Sequence, residues 1–404
     1  MKKKKPDKKP DRNTVSLRPY LPGKRHIGEL KDMAQQIAAS SAALEGRMAA
    51  ETAEAMGHHL RIINSYHSNL IEGHKTTIAD IQMALGRNFR ADPEKKYAQE
   101  LCAAHVETEK SLMDTVQSAD NINICAPAFL AGIHASFYRH LPGDHLFTHT
   151  HSGFTDMPVN PGKLRDVNVS VDGRFAHGPD FEALPALMDQ FARHYNPDNF
   201  HGDERLIAIA ASHHRLTWLH PFRDGNGRIS RLFSGLYLAR TGINRRNLWS
   251  LSRGLSRDKQ RYMMELWATD APEQKEELLA DFCRFLFSVC LDQIAFMESL
   301  LRLDRIEARI DRYVAMRASD PDRPLRSESA PLLRAVFMRG SLPRGRTGEL
   351  LGMSQRNAQR IVSALIKEGL LAAASHRAPL TIGLPIEVLP HYFPDLYDPS
   401  VMGG

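Results

Sequence analysis

The stretch His220-Pro-Phe-Arg-Asp-Gly-Asn-Gly-Arg-Ile-Ser-Arg231 gathers, between two apolar-periodic segments, the residue types that phosphate chemistry needs. Gly225 and Gly227 flank Asn226, so the backbone can enter positive φ and turn successive N–H groups inward as an anion nest. A helix expected to begin at about Arg228 adds its free N–H groups and the positive end of its dipole. Arg228 and Arg231 are three apart on that helix, hence neighbours on one face, and two guanidinium forks suit phosphate oxygens better than ammonium groups. Asp224 is an oxygen donor placed to hold a Mg²⁺ that also takes phosphate oxygens. His220 is a base that can be neutral near pH 7 and take a proton from an incoming hydroxyl. Each signal alone is weak; in this order they describe an enzyme that uses a nucleotide.

The stretch also resembles the signature of the Fic family, H-x-F-x-[D/E]-G-N-G-R-x-x-R, at every fixed position. The resemblance implies an all-α fold with a small β-hairpin flap, and transfer of AMP from ATP to a Ser, Thr or Tyr hydroxyl of a protein with release of pyrophosphate. It implies His220 as general base, Phe222 as the core anchor of the loop and Asp224 as the Mg²⁺ ligand. Gly225, Asn226 and Gly227 become the α/β-phosphate nest, and Arg228 and Arg231 the phosphate grips. This agrees with the residues read on their own, since phosphoryl-type transfer is mainly positioning and charge stabilisation.

Other segments extend the likeness. Pro161-Gly-Lys-Leu-Arg165, then Val167, Val169 and Val171 in alternation before Asp172-Gly173, reads as a hairpin and resembles the family's target-clamping flap. Tyr262 and Asp270 fall where related enzymes place an aromatic residue and often an Asn around the nucleoside. Ser68-Asn-Leu-Ile-Glu72-Gly73 is similar to the family's inhibitory pattern, [S/T]-x-x-x-E-[G/N], with Ser68 and Glu72 on one helix face. The resemblance implies that Glu72 pairs with Arg231 in the place of the γ-phosphate, so the enzyme inhibits itself. Two further readings stay open: hydrolytic removal of AMP from modified proteins, and a DNA-binding regulator with a Fic core as sensor.

The elements that must position these residues are mostly helical. Residues 27 to 109 are Ala-rich with apolar spacing of three and four, and helices are expected at 127–139, 181–195, 203–219, 229–240, 256–268 and 276–316. Residues 141–162, rich in Gly, Pro and His, read as irregular, and the irregular spacing of His140, His145, His149 and His151 argues against a zinc site. Ala318-Ser-Asp-Pro-Asp-Arg-Pro324 breaks the pattern. Beyond it, helices at 331–339, 347–351 and 355–368 and two short strands at 370–384 follow the order of a winged helix-turn-helix. Its third helix offers Ser354, Gln355, Arg356, Arg360 and Lys367 to DNA, though such domains also contact proteins. The expected division is a disordered basic tail at 1–26, an N-terminal helical region with the inhibitory helix at 27–110, the catalytic core at 111–317 and the winged helix at 325–390.

The formal charge of +6 is misleading: the first 13 residues hold seven Lys or Arg against two Asp, or +5 of it, so the body is nearly neutral. Four cysteines make no disulfide framework, and Cys283 and Cys290, on one helix face, read as buried apolar residues. With no long apolar run and no apolar segment after the Lys-rich start, a cytoplasmic protein is expected, with no membrane partner. The partners implied are ATP with Mg²⁺, a protein target or the chain itself, DNA or a protein at the winged helix, and a second copy in a homodimer.

Overall fold

The computed structural model describes residues 16–119, 121–150, 153–168, 178–269 and 276–397. The chain runs through helices α1 (Lys24–Gly46), α2 (Ala50–Ile71), α3 (Ile78–Leu85), α4 (Pro93–Ser118) and α5 (Pro127–Arg139). A hairpin of β1 (Phe147–Thr150) and β2 (Gly153–Pro158) follows, then α6 (Leu184–Tyr195), α7 (Glu204–Leu219) and α8 (Asn226–Arg240). Next come α9 (Leu251–Arg257), α10 (Lys259–Thr269), α11 (Glu276–Leu300) and α12 (Leu303–Ala318). The C-terminal part holds α13 (Ser329–Arg339), β3 (Ser341–Leu342), α14 (Thr347–Leu351), α15 (Gln355–Lys367), β4 (Leu371–Ala372) and β5 (Leu380–Ile382). The fold is thus helical with few strands, as the composition of the segments leads one to expect.

Two compact units interleave along this order. The first holds residues through Ala34 together with Ser111–Thr241 and Lys259–Phe287; the second holds Gln35–Lys110, Gly242–Asp258 and the residues from Ser288 on.

In the first unit α7 packs against α8, α6 and α10, and α8 also against α5. Its core is aromatic, with Phe137, Phe191, Tyr195, Phe222, Phe233, Tyr237 and Phe282 all buried. Residues 17 and 19, inside the span 1–26 expected to be the tail, take part in this packing. Leu17 is buried, and the buried Arg215 donates to the carbonyls of Leu17 and Pro19. A guanidinium out of water must find acceptors, and here an apolar segment supplies them.

In the second unit α2 packs on α9 and α3, and α12 on α13. The C-terminal sheet has the order β3-β5-β4, antiparallel throughout, with Ser341 opposite Thr381 and Leu371 opposite Ile382. Gly352, at φ +63°, ends α14, and Ser354 caps α15 by accepting from the Asn357 N–H.

Three local differences from the sequence reading have physical reasons. Phe147–Thr150 and Gly153–Pro158, in a stretch expected to be irregular, pair as antiparallel strands with Phe147 opposite Pro158 and His149 opposite Phe154. Strands this short show too little alternation to register against Pro142 and Gly143. The helix expected at 256–268 is two helices with a break at Asp258, where φ is −131° and ψ 59°. The helix expected at 276–316 breaks at Leu301-Arg302, a pair with neither Gly nor Pro to announce it.

Candidate active site

The loop between α7 and α8 is shaped by its own sequence. His220 ends α7 in the left-handed region, φ 45° and ψ 57°, while its N–H still reaches the Leu216 carbonyl at 3.2 Å. Pro221 has no N–H with which to continue the helix. Gly225, at φ 77°, turns the chain into α8, and a Cβ there would lie 2.9 Å from the Tyr138 Oη, so only glycine fits. Asn226 then closes the loop from both sides: its Oδ1 accepts the Phe222 N–H at 2.9 Å, and its Nδ2 donates to the Phe222 carbonyl at 2.8 Å. Phe222 is fully buried, which anchors the loop in the core.

Helix α8 starts at Asn226, two residues earlier than its expected start, and its first internal bond runs from the Ile229 N–H to the Gly225 carbonyl. The N–H groups of the first helical turn point out of the helix end, the geometry an anion site requires. Asp224 stands beside them. Its Oδ2 accepts from the Tyr138 hydroxyl at 2.9 Å and lies 3.4 Å from the Arg228 Nη2. Arg228 and Arg231 are both buried, and the Arg228 guanidinium lies 5.3 Å from the Phe137 ring centroid. The Asp224 side chain keeps 30% of its surface exposed, so this carboxylate, unlike the arginines, is reachable from solvent.

Two residues outside the motif hold it. Arg165 is 3% exposed; its Nε donates to the His220 carbonyl at 2.8 Å, its Nη1 to the Val167 carbonyl at 3.0 Å, and its Nη2 to the Pro179 carbonyl. Its own N–H reaches the Pro221 carbonyl at 2.9 Å. His134 stacks on Phe222 with centroids 4.1 Å apart, and its Nδ1 accepts the Gly162 N–H at 2.8 Å. Burial lowers the His134 pKa to about 4, so the ring is neutral, with its proton on Nε2. Sequence reasoning named Arg165 only as part of a segment and missed His134 and Tyr138. Their signal was present as an aromatic pair four apart on the apolar α5.

Residues 129–238 match the Fic/DOC family. That span contains α5, α6, α7, the loop and nearly all of α8, the elements just described. It is a Fic domain. The protein adenylyltransferase Fic of Drosophila erecta is 38% identical over 85 residues, 21% of this chain and 17% of that protein. The Drosophila grimshawi protein of the same name is 36% identical over the same length. The chain thus spans about one sixth of the length of the curated relatives it matches. A Fic family protein from Desulfovibrio desulfuricans G20 superposes with a TM-score of 0.51 at 17% identity, covering 87% of this chain and 96% of that one. Fic-1 from C. elegans gives 0.52 at 13% identity, covering 68% and 73%. At such identities the two structures show the fold alone.

Within the Fic domain the motif residues His220, Asp224, Gly225, Asn226, Gly227, Arg228 and Arg231 share one loop and one helix end. Tyr262 lies on α10, buried, with its hydroxyl 2.8 Å from the His213 Nε2. The Ser234 hydroxyl donates to the Ser230 carbonyl and so accepts from the His213 Nδ1 at 2.7 Å, which makes Tyr262 the donor to Nε2. Burial, helped by the Arg231 charge, keeps His213 neutral with a pKa of about 3. Val167 sits in a bend, while Val169, Val171 and Asp270 lie outside the described residues. Ser68 is buried near the end of α2, Glu72 is the exposed residue that caps this helix, and Gly73 takes φ +94° just beyond. These three belong to the second unit. Among the described residues, no group of three or more His, Cys, Asp or Glu is arranged to hold a metal ion, and no helix is long and apolar enough to cross a membrane.

Proposed function

We propose that the protein is an adenylyltransferase that moves AMP from ATP to a Ser, Thr or Tyr hydroxyl of a protein and releases pyrophosphate. The observation that carries this reading is the pairing of Asn226 with both main-chain groups of Phe222. It fixes in one short loop a histidine, a solvent-reachable carboxylate and the open end of α8. The adenylyltransferase names of the Drosophila relatives support it.

In this reading the triphosphate lies against the N-terminus of α8, with Arg228 and Arg231 offsetting its charge. The target hydroxyl attacks the α-phosphorus; a new P–O bond forms as the bond to the β-phosphate oxygen breaks, and pyrophosphate leaves. His220 takes the hydroxyl proton, and Arg165, holding the His220 carbonyl, fixes where that imidazole starts from. A partly exposed carboxylate beside a phosphate site suits Mg²⁺, which keeps most of its waters, so Asp224 would hold the ion, whose charge offsets that of the phosphates. Glu72 restrains the reaction, as the likeness of residues 68–73 to the inhibitory pattern implies.

The test is mass spectrometry of lysate proteins after incubation with the Glu72→Gly protein, ATP and Mg²⁺. Peptides that gain one AMP support the reading; a gain of phosphate alone, or no gain with intact ATP, overturns it.

A further inference from the structure

Helix α15 in the C-terminal part has one buried and one exposed face. On α15 the buried residues Ala358, Ile361, Val362 and Leu365 form one stripe, and α15 packs against α14 and β4. The opposite face, Arg356, Asn357, Gln359, Arg360, Ser363, Ala364 and Lys367, is exposed along the whole helix and is polar apart from that small alanine. The helix contains no Asp or Glu.

The neighbouring turns add cations at the same end of α15. The Gln355 side chain, expected from the sequence to read DNA, is instead structural: it accepts the Gly348 N–H at 3.0 Å and donates to the Arg344 carbonyl at 2.7 Å. This ties the start of α15 to the 344–348 turn. The Arg344 Nε in turn donates to the Ala378 carbonyl at 3.3 Å, so the turn joining β4 to β5, with exposed His376 and Arg377, is held to that end as well. Of the acidic residues flanking α15 in the sequence, Glu349 lies 3.6 Å from Arg346 and Glu368 2.9 Å from Arg317.

We propose that this face binds double-stranded DNA, with α15 in the major groove and Arg344 and Arg377 on the flanking phosphates. An α-helix fits the major groove, arginine and asparagine are the side chains that read guanine and adenine edges there, and the first residues of such a helix make those contacts. A helix side free of carboxylates and flanked by basic turns complements a polyanion, whereas a protein-binding face would carry apolar residues at its centre. This holds whether or not the Fic domain transfers AMP.

The test is selection of duplexes from a randomised pool by the full chain, followed by fluorescence anisotropy of the selected duplex in rising salt. The expected result is a shared sequence, binding that weakens steeply with salt, and loss of roughly tenfold or more in affinity in Arg356→Ala/Arg360→Ala. Arg377→Ala should weaken binding and lower the salt slope by about one. The arginines at 356, 360 and 377 are exposed, so all these variants should melt with the parent. No retained duplex, a retained pool without a shared sequence, or undiminished binding by the double variant, which would place binding on the Lys-rich N-terminus, overturns the proposal.

Discussion

The Arg165 guanidinium donates to the main-chain carbonyl of His220, the residue that ends α7 in a left-handed conformation. The same group holds the carbonyls of Val167 and Pro179, so one buried cation joins the segment before the motif to the start of the motif loop. Arg165→Lys cannot reproduce three directed bonds from one fork. It should lower the melting temperature and cut AMP transfer by about tenfold or more, chiefly in kcat, a few kcal/mol being lost at hydrogen bonds of this charged type. Calorimetry and initial rates check it; an unchanged kcat would show that the clamp does not set the position of His220.

Asn226→Asp keeps an acceptor for the Phe222 N–H but loses the donor to the Phe222 carbonyl. It also places a charge at the mouth of a phosphate site. The expected cost is about 1–3 kcal/mol of stability and a raised KM for ATP. Chemical denaturation and an ATP titration read the two effects separately.

The pH dependence of stability has two opposed parts. His134, held to about 4 by burial, is neutral in the fold and charged in the unfolded chain between about 4 and 6.5, so stability is lost as pH falls through that window. His213, at about 3, acts in the same direction. Glu109 acts oppositely. Burial raises it to about 7, although the Asn64 and Asn247 side chains each donate to its Oε1 at 2.9 Å. Its stabilising effect is therefore complete below 4.5 and lost as pH rises through 7. Glu109→Gln mimics the protonated form and should melt above the parent at about pH 8, with a much smaller difference at about pH 5. Equal differences at both would contradict a titrating Glu109.

Glu72→Gly should raise AMP transfer several-fold while leaving the melting temperature within a few degrees, since Glu72 is exposed at the end of α2. A rate equal to the parent's would remove Glu72 as the restraint.

The motif loop was legible because its chemistry is local: a base, a carboxylate, two glycines and two arginines sit within the stretch 220–231 and need no distant partner to be recognised. Helix α5 was legible to the residue because Pro127 opens it and apolar spacing fills it. What supports the loop was not. Arg165, His134 and Tyr138 reach it from 55 to 88 residues away in sequence, and a single chain carries no signal of which distant side chains meet. Gln355 shows the converse. By type it suits base reading, and only the fold reveals that its amide is spent on the turn.

The measurement closest to the central claim is the fate of label from ATP incubated with the Glu72→Gly protein, lysate and Mg²⁺. Label on the α-phosphate should become protein-bound, label on the γ-phosphate should leave as pyrophosphate, and His220→Ala in the same background should abolish the incorporation. Protein-bound label from the γ-phosphate, or incorporation that survives His220→Ala, would contradict the account.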